Sequence, residues 1–260
     1  MVSFAQLLLV ALLLGLTAVR ATPVVQQAAS AQFTSAMTDF LQAFKSIMPC
    51  GYGDIPVLAP IVNPFYEFDV ASDDFAVVGN VTNIHIQGLD TFKVLSASDY
   101  GQTGEAAYDL LFPNIQVLGF AQMDGFINVG GLKLPIRQND VINEALMDLR
   151  FVGSYRFANS LTNSSGLRVV DFKQTIYLAG VELDNWNTLW NSSTNNFWNR
   201  WMKTLLPLAL EEIQPNITDL LYQHFLVPKI NELLANVSMA ELVSFFQTQA
   251  QLWANANCQA

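Results

Sequence analysis

The chain has 260 residues and a formal net charge of −10, with 52% apolar and only 13% charged residues. That acidic balance argues against nucleic acid and anionic membrane surfaces as partners, since both attract basic chains. It suits an extracellular protein with a large apolar interior, and no linker-like or low-complexity run divides it.

Residues 1–21 read as a secretory signal. Leu7 to Ala18 is an unbroken apolar run, too short to span a bilayer comfortably. Val19 and Ala21 suit positions −3 and −1 of a signal-peptidase site, although no Lys or Arg precedes the apolar run. The rival is an uncleaved anchor. Residues 22–260 are then expected to form a single domain, with no transmembrane segment. Asn80, Asn163, Asn191, Asn216 and Asn236 each begin an N-x-S/T sequon, which agrees with export as a glycoprotein. Asn216 follows Pro215 inside a helical stretch, so either the helix breaks there or that sequon is silent.

Residues 25–48 place Phe33, Met37, Phe40, Leu41 and Phe44 at helical spacing, which predicts an amphipathic helix ending before Pro49-Cys50-Gly51. Pro56, Pro60 and Pro64 hold the next segment extended. Alternation then takes over. Tyr66, Phe68 and Val70 share one face, followed by Ile84 and Ile86, Phe92 and Val94, Tyr108 and Leu110. Ile115 and Val117 lead a run ending near Val129, then come Phe151, Tyr155 and Phe157, and lastly Val169 to Tyr177. Hairpin signals sit at Gly101–Gly104, Gly130-Gly131 and Asn163–Gly166. This pattern predicts an antiparallel sheet of several long strands.

Residues 197–226 return to helical spacing, with Trp198, Trp201, Met202, Leu205, Ala209 and Ile213 on one stripe. Phe197, Leu206, Leu208, Leu210, Leu221 and Phe225 widen it until much of the circumference is apolar. A helix this greasy must be wrapped by other elements. Pro207 and Pro215 are expected to bend it. A last helix is expected over Ala240–Trp253. The order is helix, strands, long helix, hence α+β with a sheet curled round the helix.

Cys50 and Cys258 are the only cysteines. In an oxidising compartment they form one disulfide; two free thiols or a bond to another chain is the alternative.

Three stretches resemble the haemolymph juvenile hormone-binding and takeout-like proteins of insects, in the tubular lipid-binding superfamily. GDIPVLAPIVNPFYEFDV, from Gly53 to Val70, looks like that family's Pro-rich entry into its first strand. GNVTNIHIQGLDTFKV, from Gly79 to Val94, is similar to its strand with a Gly-Leu turn. VELDNWNTLWNSSTNNFWNRW, from Val181 to Trp201, looks like its run into the last long helix. The resemblance implies a long helix wrapped by a strongly curved antiparallel sheet, beside an elongated apolar tunnel. It implies a carrier of a terpenoid hormone, fatty acid or similar lipid, without cofactor. The chain lacks the family's short-range cysteine pair near the mature N-terminus and extends further after Val237. Those departures favour a takeout-like carrier over a juvenile hormone specialist. A surface-acting glycoprotein of the same fold, binding a receptor, cuticle or microbial lipid, is the alternative.

No catalytic set assembles. His85 and His224 are the only histidines, no Gly-x-Ser-x-Gly elbow exists, and two Cys with two His make no zinc site. Glu211 and Glu212 are adjacent on a helix and point apart. Gly130-Gly131 lacks the Lys-Ser/Thr of a phosphate loop. What remains is apolar surface, including Trp186 and Trp190. The lining candidates are Trp198, Trp201, Leu205, Phe225, Ile84, Ile86 and Val117, with Tyr155 and Tyr177 as hydroxyl donors to a ligand head group.

Overall fold

A computed structural model describes residues 23–100, 105–129, 131–183, 192–256 and 258. Helix α1 (Pro23–Ile47) buries Phe33, Met37, Phe40 and Phe44, as their spacing predicts. Gly51, at a φ of 73°, donates its N–H to the Ile47 carbonyl at 2.8 Å and closes the helix. A Cβ there would also strike the Ile55 carbonyl oxygen.

Six strands follow: β1 (Ile61–Ala71), β2 (Phe75–Gln87), β3 (Lys93–Tyr100), β4 (Glu105–Val129), β5 (Leu132–Asn159) and β6 (Leu167–Leu183). They form one antiparallel sheet in the order β1-β2-β4-β5-β6. β3 takes the part of β4 that β2 leaves free. β4 and β5 have 25 and 28 residues. Straight, they would run roughly 80–90 Å, so the sheet must curl, and it does.

The turning points can be named. Asn83, Asp148 and Asp171 sit inside strands at φ values of 50°, 49° and 54°, the left-handed region that Asn and Asp tolerate best after glycine. In β5 the larger buried apolar side chains are Ile136 and Ile142 before Asp148 and Tyr155 and Phe157 after it, while the small Ala145 is buried on the other parity. In β4 the buried apolar side chains are Ala106, Tyr108, Leu110 and Phe112 before Pro113 and Ile115 and Ala121 after it, with Asp109 buried on the other parity. The β4–β5 register runs unbroken through this point, so both strands turn together and keep one inner face.

Three prolines inside strands fit the same plan, because each falls where a backbone N–H would lack a strand partner. Pro64 lies on the edge strand β1. Pro113 sits between Leu111, where β3 pairing ends, and Gln116, where β2 pairing begins. Pro135 precedes Glu144, the first β5 residue paired with β6.

After the sheet come α2 (Ser192–Thr218), a π-helical segment (Asp219–Leu226), α3 (Val227–Leu234) and α4 (Met239–Ala254). The expected helix over residues 197–226 is therefore present, and it continues through Pro207, Pro215 and Asn216 without a break. Its surroundings differ from the all-round apolar wrapping expected. Phe197, Leu208 and Phe225 are exposed. One flank instead follows the free edge of β6 through side-chain amides. Gln214 Oε1 accepts from Ile176 N–H at 2.8 Å, and Gln223 Nε2 donates to the Phe172 carbonyl at 2.8 Å. Asn231 takes both the N–H (2.6 Å) and the carbonyl (3.1 Å) of Val169. From Gln214 to Asn231 the helix rises about 25 Å, and Ile176 to Val169 spans about 23 Å of strand. That match lets one helix satisfy an edge that would otherwise be open to foreign strands.

Two apolar cores result. The larger joins α1 and α4 to the sheet through Phe40, Phe246, Trp253, Tyr155 and Phe157. The smaller sets Met202 and Ala209 of α2, with Trp201 and Leu205 beside them, on Ile136, Val181 and Leu183. Cys50 and Cys258 are joined in a disulfide. A buried polar chain ties the π segment to the sheet: Tyr108 Oη donates to Gln174 Oε1 at 2.6 Å, and Gln174 Nε2 donates to Tyr222 Oη at 2.8 Å. Burial, and then neighbouring Tyr222, pushes the Tyr108 phenol well above its usual range. Gln174→Leu would leave two buried hydroxyls unpaired, with an expected loss of about 1–3 kcal/mol in urea denaturation.

Candidate functional site

A cavity of about 540 Å³ opens between α2 and the sheet, within the usual range for small-molecule sites. Pro207 and Leu208 of α2 face Leu111 of β4 and Ile176 and Leu178 of β6 across it. The register sets Leu111 beside Arg150 and Arg150 beside Tyr177, so these three side chains form one cross-strand row. Arg150 is held in a fork, Nε to Asp109 Oδ1 at 2.7 Å and Nη2 to Oδ2 at 2.5 Å. That pairing leaves the cavity wall chiefly apolar, with Asp148 and Glu211 at its polar margin.

The inner face of the sheet carries a second set of features. Ile86, Val117, Glu144 and Leu183 lie in one cross-strand row. Oε1 of Glu144 is buried without a hydrogen-bond partner among the described residues, and burial pushes its carboxyl up to about 7. Gln138, on the same strand and face, is 3% exposed, and neither its Oε1 nor its Nε2 has a partner among the described residues. Because the folded pKa of Glu144 lies above that of the free side chain, the folded chain holds this proton more tightly. The associated stability is full below about pH 4.5 and is lost as pH rises through about 7. Glu144→Gln is expected to flatten that part of the pH–Tm curve and to stabilise the chain above pH 7 by about 1–3 kcal/mol.

Of the residues expected to line a ligand site, Tyr177 lines the cavity. Ile84, Ile86 and Val117 are half-buried on β2 and β4. Trp201 and Leu205 pack on the smaller core, and Phe225 is 60% exposed in the π segment. Tyr155 is fully buried between the rings of Phe157 and Phe172, so its place is in the larger core. Trp198 lies in α2, and its side chain, with Trp186, Trp190, Asn191 and residues 1–21, is outside the described residues. Asn80 is half-buried on β2 and Asn236 is exposed before α4. Asn163, in the β5–β6 turn, donates through Nδ2 to Asn236 Oδ1 at 3.3 Å. The side chain of Asn216 is outside the described set. Leu111 and Arg150 were not singled out by sequence, and Leu208 was read only as part of the helix's widened apolar stripe. A shared parity with Tyr177 across paired strands is the signal that unites two of them, and it needs the register. No group of three or more His, Cys, Asp or Glu able to hold a metal occurs among the described residues. No described helix is long and apolar enough to cross a membrane.

A curved antiparallel sheet, a helix laid along it and an apolar cavity between them define a carrier type of fold for small apolar molecules. The chain belongs to the haemolymph juvenile hormone binding protein (JHBP) family, whose sequence model matches residues 7–244. That is a family of binding proteins. Among solved structures, it is similar to Takeout 1 of Epiphyas postvittana, at 15% identity over 78% of this chain and 92% of that one, with a TM-score of 0.49. It is also similar to a lipopolysaccharide binding protein, at 13% identity over 76% of this chain and 39% of that one, with a TM-score of 0.23. No curated protein sequence matches.

Proposed function

We propose that residues 22–260 form a single-domain secreted glycoprotein that carries a small hydrophobic ligand, a terpenoid hormone, fatty acid or similar lipid, after removal of residues 1–21. The observation that carries this reading is the apolar cavity of about 540 Å³ beside α2. Each methylene buried there would contribute about 0.8 kcal/mol, so a medium-length chain binds tightly with few polar contacts. Family membership supports the binding role. The cysteine pair and sequons support export, and no catalytic step is assigned. The test is native mass spectrometry and solvent extraction of protein secreted from eukaryotic cells, followed by displacement of an environment-sensitive apolar probe. A co-purifying lipid is expected, and Leu208→Trp, which fills the cavity, should weaken probe binding at least tenfold. An empty protein that binds no apolar probe would refute the carrier.

The alternative, a surface-acting glycoprotein, draws support from the edge strand β1. Val62, Phe65, Tyr66 and Val70 are all exposed there. It predicts adhesion to a receptor, cuticle or microbial lipid surface that Tyr66→Ser abolishes while probe binding persists.

A further inference from the structure

The register gives the cavity beside α2 a definite side of the sheet. Leu111, Arg150 and Tyr177 alternate along their strands with Leu110, Phe151 and Ile176. Leu110 belongs to the larger core and Phe151 packs against it, so the row of Leu111, Arg150 and Tyr177 lies on the other face. Tyr177 and Leu208 are half-exposed, so a ligand held there keeps one end at the solvent. Three of the lining residues are charged: Asp148, Arg150 and Glu211. The guanidinium of Arg150 is already matched by both carboxylate oxygens of Asp109. Asp148 and Glu211 are exposed and have no hydrogen-bonding or ion-pair partner among the described residues. The uncompensated charge of this apolar cavity is therefore negative.

We propose that this cavity selects an amphiphile with a protonated amine at one end, its chain against Leu111, Ile176, Leu178 and Leu208 and its ammonium at the margin formed by Asp148 and Glu211. The inference rests on the carrier reading and names the head group which that reading leaves open. A carboxylate head would meet two like charges, while the nearest cation already has its counter-charge in Asp109. An ammonium meets two opposite charges, and Tyr177 adds an aromatic ring to a wall that then favours cations. A fatty acid is therefore the least suited of the lipid classes to this cavity. Both carboxylates are wet, so the selectivity is moderate and weakens as salt rises.

The test compares dodecylamine, dodecanol and dodecanoate, each displacing an apolar probe from the full secreted chain at neutral pH and low salt. The amine is expected to bind about tenfold tighter than the carboxylate and about threefold tighter than the alcohol. Asp148→Asn combined with Glu211→Gln should bring the three within about twofold of one another and leave dodecanol binding unchanged. Asparagine suits position 148 because the backbone φ there is 49°. Glu67→Gln combined with Glu212→Gln removes the same charge from exposed positions outside the cavity and should keep the preference. Leu208→Trp should weaken all three ligands alike. Dodecanoate binding as tightly as the amine would overturn the proposal while the carrier reading stands. So would an amine preference that survives the cavity pair, or that is lost equally in the outside pair. A loss of dodecanol binding in the cavity pair would mark the two carboxylates as structural and overturn it too. Failure of all three ligands and the probe to bind would overturn the carrier reading and the head-group assignment together.

Discussion

Trp253→Ala is expected to destabilise the folded chain by about 3–5 kcal/mol, a loss read as a lower urea midpoint. Trp253 is 1% exposed, and its ring centroid lies 4.8 Å from Phe40 and 5.7 Å from Phe44. Phe40 in turn meets Phe246 at 4.9 Å, so an aromatic cluster holds α4 on α1, with Leu242, Val243 and Ala250 buried beside it. The site can collapse only if two helices close on each other, and the sheet beneath α1 prevents that. The adjacent Leu252→Ala supplies the control. Leu252 is half-exposed on α4, and its loss should shift stability by less than about 0.5 kcal/mol. Equal effects at both positions would mean that α4 does not dock through this face.

The same helices show what was legible in the sequence. In α1 helical periodicity alone located Phe33, Phe40 and Phe44, whereas for α4 only the helix over Ala240–Trp253 was expected and not which of its residues are buried. The paired cysteines were legible because two leave one intramolecular choice. The stretch over residues 197–226 was legible as a helix but not in its seating. The groups that seat it, Gln214, Gln223 and Asn231, look like ordinary solvated amides until β6 is known to present a free edge beside them.

Strands were less visible where polar side chains face inward. After Leu132, Leu134 and Ile136 the alternation lapses over residues 138–150, yet these form the middle of β5. Gln138, Asp140 and Glu144 point the same way as Ile136 and Ile142, and Val141 is exposed on the other face. Polar groups facing inward erase the period-two signal. The cavity wall was hidden for a related reason. Leu111, Arg150 and Tyr177 become neighbours only through the register of three strands, over sequence distances that no periodicity spans.

Replacing Cys50 and Cys258 together by serine is expected to cost about 5 kcal/mol, since the bond closes a loop with a sequence separation of 208. The chain-entropy account places this effect mainly in the unfolded ensemble, which the cross-link makes more compact. Two consequences follow from that placement. The urea m-value should rise in the serine variant, because its unfolded chain exposes more surface. Displacement of an apolar probe from the native cavity should stay within about twofold, because the disulfide joins the turn after α1 to the C-terminal tail and no cavity-lining residue belongs to either. The combination with Trp253→Ala sharpens the point. Trp253 acts by docking α4 in the native state and the disulfide by restricting the unfolded one, so the two losses should add to within about 0.5 kcal/mol. A coupling well above that would place the disulfide's work in the native state, holding the α4 end against α1, and the m-value would then stay unchanged.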